Sequence, residues 1–258
     1  MAMNPDQVKP LKIAVITPYC YEDIGKLRRC HESVLSQADE CTHFLIADGE
    51  PKMELSTWDC RHICLGISHR DNGNTPRGIG GILAMNEGYD VVMYLDADNW
   101  YDPLHTRSVL HTHFLTSSDV IFSSRHIALL DGSIVDADDP EDVQKLHVDT
   151  SCMSIFPNAY RALAHWCLMP QSLGPICDRA MLRLLQSEFT CAWTDYKSVF
   201  FESSYAGHYR MVGKEVPPNA KGIELISYEF TETVIREHAS RAYMCLQYDR
   251  LTGFNITS

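Results

Sequence analysis

Two aspartates one residue apart, Asp96-Ala97-Asp98, directly follow five apolar residues, Val91-Val92-Met93-Tyr94-Leu95. Side chains at i and i+2 leaving a strand point to the same side, so the two carboxylates are expected to share one site. Like charges about 6 Å apart repel by roughly 3 kcal/mol at an effective dielectric near 20. Solvent, protonation or a cation must relieve that repulsion. Hard oxygen donors at a strand end suit Mg²⁺ or Mn²⁺, and such an ion also bridges the phosphates of a nucleotide. The chain supplies its own control. Asp136-Ala137-Asp138 repeats the tripeptide inside the acidic stretch 136–142, with no apolar strand delivering it, and reads as a solvated turn.

The elements that must position the first pair are legible from periodicity. Residues 12–17 form a short β-branched run ended by Pro18, and Ile24, Leu27, Val34 and Leu35 then recur at helical spacing. A second strand over 43–47 runs into the turn Asp48-Gly49-Glu50-Pro51. A third strand is expected over 61–67, a helix over 77–86 entered through Asn72-Gly73-Asn74, and a helix opened by Pro103. A further strand falls at 120–123. Alternating strands and helices mean a mostly parallel sheet, with ligands beyond the carboxyl ends of its strands. The second half is more mixed. It offers a hairpin about Asp131-Gly132, helices over 157–166 and 176–185, a strand over 196–201, and a closing amphipathic helix marked by Phe230, Val234, Ile235, Ala239, Ala242 and Leu246.

The chain of 258 residues is 45% hydrophobic, enough for one α/β domain with a full core. A net charge of −12 without a Lys/Arg-rich stretch excludes nucleic acid as a partner. A small phosphorylated ligand then needs a local cation or a helix N-terminus. The ten cysteines are scattered through apolar segments and read as reduced thiols. Cys60 and Cys64 lack a second pair at zinc-ligand spacing, and the Asn255-Ile256-Thr257 sequon carries no weight in a cytoplasmic chain. Residues 1–10 are polar and no apolar run approaches about 18 residues, so no transmembrane segment and a cytoplasmic location are expected.

Several short segments now combine in order. The opening strand Ile13-Ala14-Val15-Ile16-Thr17-Pro18-Tyr19, the helix end Ser33-Val34-Leu35-Ser36-Gln37, the strand end Ile46-Ala47-Asp48-Gly49-Glu50, and Tyr94-Leu95-Asp96-Ala97-Asp98-Asn99 together resemble the family 2 glycosyltransferases of the GT-A fold. The likeness spans roughly residues 11–210. It implies an α/β fold of GT-A type occupying 1–258 as one domain. A Rossmann-like nucleotide-binding half (11–125) is joined to a mixed acceptor-binding half (126–250), around a mostly parallel sheet flanked by helices.

The resemblance also implies roles. Thr17, Pro18, Tyr19 and Asp48 would hold the nucleoside, with Arg77 on base or phosphate. Asp98 would ligate Mn²⁺ or Mg²⁺, and Asp96 would contact ribose or metal-bound water. His208 would be a third metal ligand. The segment Pro175-Ile176-Cys177-Asp178-Arg179 resembles the one in which the family places an acid pair, making Asp178 the general base while Cys177 replaces the usual Glu. The implied donor is a nucleoside-diphosphate sugar, most commonly UDP-linked, and transfer to a saccharide, lipid or other hydroxyl acceptor would invert the anomeric centre. Trp166 and Trp193 read as core residues before sugar platforms. A nucleotidyltransferase would need a Gly-rich basic loop where Thr17-Pro18-Tyr19-Cys20-Tyr21 stands, and Gly78-Ile79-Gly80-Gly81 misses the dinucleotide spacing. A non-catalytic sugar-nucleotide-binding module would not require Asp96, Asp98 and Asp178 together.

Overall fold

The computed structural model describes residues 10–221; the closing amphipathic helix, Cys245 and the sequon lie outside them. In chain order the elements are β1 (Ile13–Tyr19), α1 (Ile24–Leu35), β2 (Cys41–Asp48), β3 (Arg61–Leu65), α2 (Asn74–Asn86), β4 (Val91–Tyr94), β5 (Trp100–Tyr101), α3 (His105–Thr116) and β6 (Val120–Leu129). There follow α4 (Pro140–Val143), β7 (Met153–Ile155), α5 (Leu163–Leu168), α6 (Cys177–Glu188), β8 (Cys191–Ser203) and α7 (Ala206–Met211).

One sheet of eight strands in the order β3-β2-β1-β4-β7-β6-β8-β5 runs through both halves. The β1/β2, β1/β4, β2/β3 and β6/β8 pairs are parallel, whereas β7 lies antiparallel to both β4 and β6. Every residue of β1 and β4 is buried, as continuous apolar runs in a parallel sheet require. The three-residue β7 thus joins the strands of the first half to those of the second, and no hydrophobic period announces so short an element.

Three expectations are corrected. The strand expected over 120–123 continues to Leu129, because β6 pairs with β8 across a register shift near Ser124. The hairpin shrinks to a single bridge, Ala128 to Ile134, closed by Gly132 at φ 82°. The helix after Pro103 begins at His105, because Asp102 Oδ1 accepts from the Leu104 amide.

The glycines of α2 have a packing role. A Cβ on Gly78 would stand 2.3 Å from Cys167 Sγ on α5, and one on Gly80 2.6 Å from Ile16 Cγ2 on β1. The helix can approach sheet and neighbour only where those side chains are missing. That close approach carries Arg77 to the strand ends. Gly78→Ala is expected to cost about 1–3 kcal/mol by overpacking, read by urea denaturation. A loss within 0.5 kcal/mol, the usual range of a surface substitution, would mean that α2 and α5 can separate freely.

Candidate active site

Asp96 and Asp98 do border a common cavity. Its geometry comes from a turn, since β4 ends at Tyr94 and the Asn99 amide donates to Asp96 O at 2.9 Å. Ala97 is buried beneath the turn, so the carboxylates on either side face outward. Asn99, fully buried, locks the arrangement: its Nδ2 donates to Ser151 Oγ at 2.8 Å, and its Oδ1 accepts from the Glu202 amide at 3.0 Å. Ser151 Oγ also accepts from the Asp96 amide at 3.2 Å. One asparagine thereby ties the turn to β8 and to the segment before β7.

Two connected spaces meet at the pair. A cleft of about 520 Å³ runs over the ends of β1 and β2 and is lined by Pro18, Tyr19, Asp48, Arg77, Asp96 and Asp98. A smaller cavity of about 180 Å³ extends toward the second half and takes in Asp149, Cys177, Asp178, Glu202, Tyr205 and Lys221 with the same two aspartates.

Of the nucleoside-binding candidates, Pro18, Tyr19 and Asp48 reach the cleft and Thr17 does not. The Thr17 hydroxyl is fully buried, 2.8 Å from His43 Nε2, because the side chain opposite Pro18 in the pleat points into the sheet. Tyr19 accepts the Lys52 amide at 3.0 Å and pairs with His62 Nε2 at 2.7 Å. Asp48 is saturated: its oxygens take the His69 amide, His69 Nδ1 at 2.6 Å and Ser68 Oγ at 3.2 Å. Gly49 follows it at φ 85°, where any side chain would strike the Ser68 backbone.

Arg77 is the buried cation of the site. Its Nη2 donates to Asp96 Oδ1 at 2.5 Å and its Nη1 to Asn72 O at 2.7 Å, and the guanidinium lies 5.4 Å from the Trp166 ring. Burial opposes its charge, but the surrounding acidic groups, Asp96 foremost, more than offset this and raise its pKa. Trp166 is a core residue, set edge-on to Tyr94. Trp193 packs on Phe122.

Asp98 differs from its partner. Among the described residues its carboxylate takes no hydrogen bond; only its main-chain oxygen is held, by Arg29 Nη2 at 2.7 Å. Burial, then the Asp96 charge, push the Asp98 carboxyl up to about 7. A carboxyl raised this way binds its proton more tightly folded than unfolded, so it withdraws stability as pH climbs from about 4 toward 7.

No three His, Cys, Asp or Glu side chains among the described residues form a metal cage by themselves. The donors nevertheless fit a shared site, because Mg²⁺ is usually held by one or two carboxylates plus substrate phosphates. Asp98, unpaired and disfavoured as an anion, is the group such an ion would relieve. His208 does not join it. Its ring is buried beyond Asp149 and Asp178, with Nδ1 2.6 Å from Ser203 Oγ, in an adjoining space lined by Arg125, Glu141 and His147.

Asp178 opens α6 and accepts from the Arg179 amide at 2.7 Å through Oδ1, as a helix-start acid does. Its Oδ2 lies 2.8 Å from His147 Nε2. His147 and Arg125 went unrecognised as site residues, since 136–142 reads as an acidic surface turn. That turn divides: Asp136 and Asp138 are exposed and Asp138 pairs with Lys197, while Asp139 is buried and Asp142 receives Arg125 Nε at 2.6 Å. The one available signal was the density of acids, more than a solvated loop needs. Asp149, Glu202 and Lys221 carried none.

No protein-family model matches the chain and no curated protein is significantly similar. Solved structures are. S. aureus TarS 1–349 in complex with UDP has a TM-score of 0.59 at 13% identity, covering 90% of this chain and 74% of that one. The same protein in complex with UDP-GlcNAc gives 0.58 at 14%, over 96% and 74%. A longer TarS structure gives 0.59 at 12%, over 90% and 45%. At such identities the likeness is one of fold, and the fold is of GT-A type, a curled eight-stranded α/β sheet flanked by helices. Among the described residues no helix is long and apolar enough to cross a membrane, and the nine cysteines are free thiols.

Arg77→Ala is expected to lower unfolding free energy by about 2 kcal/mol or more, because Asp96 is left beside Asp98 with no counter-charge. Adding Asp96→Asn should return part of that loss. Additive losses in a double-mutant cycle would show that the two side chains do not act as a pair.

Proposed function

We propose that the protein is a glycosyltransferase related to family 2. It takes a sugar from a nucleoside diphosphate, with UDP as the expected carrier, and passes it with inversion to a saccharide, lipid or other acceptor hydroxyl. The observation that carries the reading is the convergence of Asp96, Asp98 and Asp178 on one cavity at the strand ends. It stands in the fold of a protein that holds UDP-GlcNAc.

In this reading the cleft over Pro18, Tyr19 and Asp48 takes the nucleoside. Arg77 fixes Asp96, and Asp98 with Asp96 would hold Mn²⁺ or Mg²⁺. When bound, that ion neutralises charge growing on the departing diphosphate. Asp178 accepts the proton of the acceptor hydroxyl. The hydroxyl oxygen bonds to the anomeric carbon while the carbon–oxygen bond to the diphosphate breaks, and the bonding electrons leave with the nucleoside diphosphate.

Calorimetry with UDP should show tighter binding in Mn²⁺ than in chelator, and Asp98→Ala should abolish the difference; equal affinities in the unsubstituted protein would end the metal-dependent mechanism. Since the Asp98 carboxyl titrates near 7, protons compete with the cation below that pH. The Mn²⁺ enhancement should therefore grow by up to about tenfold per unit as pH approaches 7 and level off above it. An enhancement independent of pH between 5 and 8 would remove Asp98 from the site. Asp178→Asn should bind UDP normally and lose transfer, by on the order of 10²-fold or more. Undiminished turnover would return Asp178 to helix capping.

A further inference from the structure

The acid pair implied at the start of α6 is broken here, because Cys177 stands in the first position. Burial pushes the Cys177 thiol up to about 12, so it carries no charge and cannot take the place of a second carboxylate. A different residue reaches Asp178. His147, buried in the loop after α4, sets Nε2 2.8 Å from Asp178 Oδ2 and Nδ1 2.7 Å from Asp142 Oδ1. With a carboxylate oxygen at each nitrogen, both nitrogens donate and the ring is an imidazolium.

The surroundings are consistent with that charge. Burial alone would drive the proton off, but Asp178 and Asp142 together outweigh it and the imidazole is raised to about 9. Arg125 of β6 opposes the proton, with Nη2 3.3 Å from His147 Nδ1, yet it is itself held by Asp142 and, at 3.4 Å, by Asp139 and Asp149. The other charged or titratable groups facing this space are Glu141, Arg179, Tyr205 and His208. The first-turn contact with the Arg179 amide accounts for Oδ1 of Asp178 and leaves Oδ2 unexplained.

We infer that His147 is the positioning residue of Asp178, fixing one carboxylate oxygen so that the remaining lone pairs face the cavity shared with Asp96 and Asp98. The inference rests on Asp178 being the base of the proposed transfer. His147 never touches the acceptor. Burial would favour a neutral, useless acid at position 178, and the imidazolium, with a smaller contribution from Arg179, reverses this and lowers the carboxyl below its ordinary range. The chain thereby recovers, from a residue distant in sequence, the orientation that its immediate neighbour cannot supply.

The test uses the full chain, a panel of UDP-sugars and saturating Mn²⁺, so that Asp98 does not titrate. His147→Gln should move the acid limb of the kcat profile up by about one pH unit or more, the effect of losing one close opposite charge, with donor KM unchanged. A uniform fall in kcat with the limb unmoved would mark a merely structural residue and overturn the inference. A second measurement needs no turnover. Followed by nitrogen NMR, His147 should titrate near 9 in the unsubstituted protein and about one unit or more lower in Asp178→Asn. Identical titrations would overturn the inference whatever the activity. Absence of transfer from every donor, with the NMR shift present, would instead defeat the transferase reading and the base role with it, leaving the His147–Asp178 pair intact.

Discussion

Asp96, Asp98, Asp149, Asp178 and Glu202 border one cavity in a chain whose net charge is already −12. Much of the architecture around the cavity is intelligible as the placement of cations that let these acids stay close. Arg77 takes Asp96, Arg125 takes Asp149 together with Asp139 and Asp142, His147 takes Asp178, and Lys26 with Arg29 takes Glu202. Removing one partner of a buried pair costs more than the pair contributes when intact, so each cation is bound to its place by the acid it serves. Asp98 is the exception, its carboxylate left without a donor among the described residues.

That exception gives the site its direction. A carboxylate raised toward neutrality by burial and a like charge binds a cation or a proton readily, while its neighbour, already matched by a guanidinium, gains less from either. The Asp-x-Asp pair is therefore asymmetric before any ligand arrives. Asymmetry also explains the glycines of α2: with Cβ atoms at Gly78 and Gly80 the helix would stand off from β1 and α5, and Arg77 could not reach Asp96.

The first half was legible because continuous apolar strands, β-branched composition and helical spacing are all local signals, and β1, α1, β2 and β4 follow them closely. Asp96 and Asp98 stand out by the same means, at the end of a readable strand, whereas Asp48 and Asp178 are named only through the family resemblance; the structure brings Asp96 and Asp98 to one cavity with Asp178 and to one cleft with Asp48. What stayed hidden depends on partners distant in the chain. β7 exists because β4 and β6 both need a neighbour, β6 is long because β8 runs beside it, and Thr17 faces inward by the pleat of a strand that extends past it. Arg125, His147 and Asp149 come together from a strand and a loop that share no period, and His208 was named through the family resemblance when its ring belongs to the space behind Asp178.

In the proposed transfer, Cys177 leaves the base Asp178 without an acidic neighbour, and His147 supplies the orientation instead. Orientation of a general base requires a donor at one carboxylate oxygen, and nothing in the chemistry demands that the donor be adjacent in sequence. A histidine between two acids meets the requirement with a charge as well as a hydrogen bond, at the cost of needing Asp142 to hold the histidine and Arg125 to hold Asp142 in turn. Such a network fails as a unit, since the loss of any member leaves a buried charge unmatched. The stretch 139–149 is accordingly expected to tolerate substitution far less than its acidic, loop-like composition suggests.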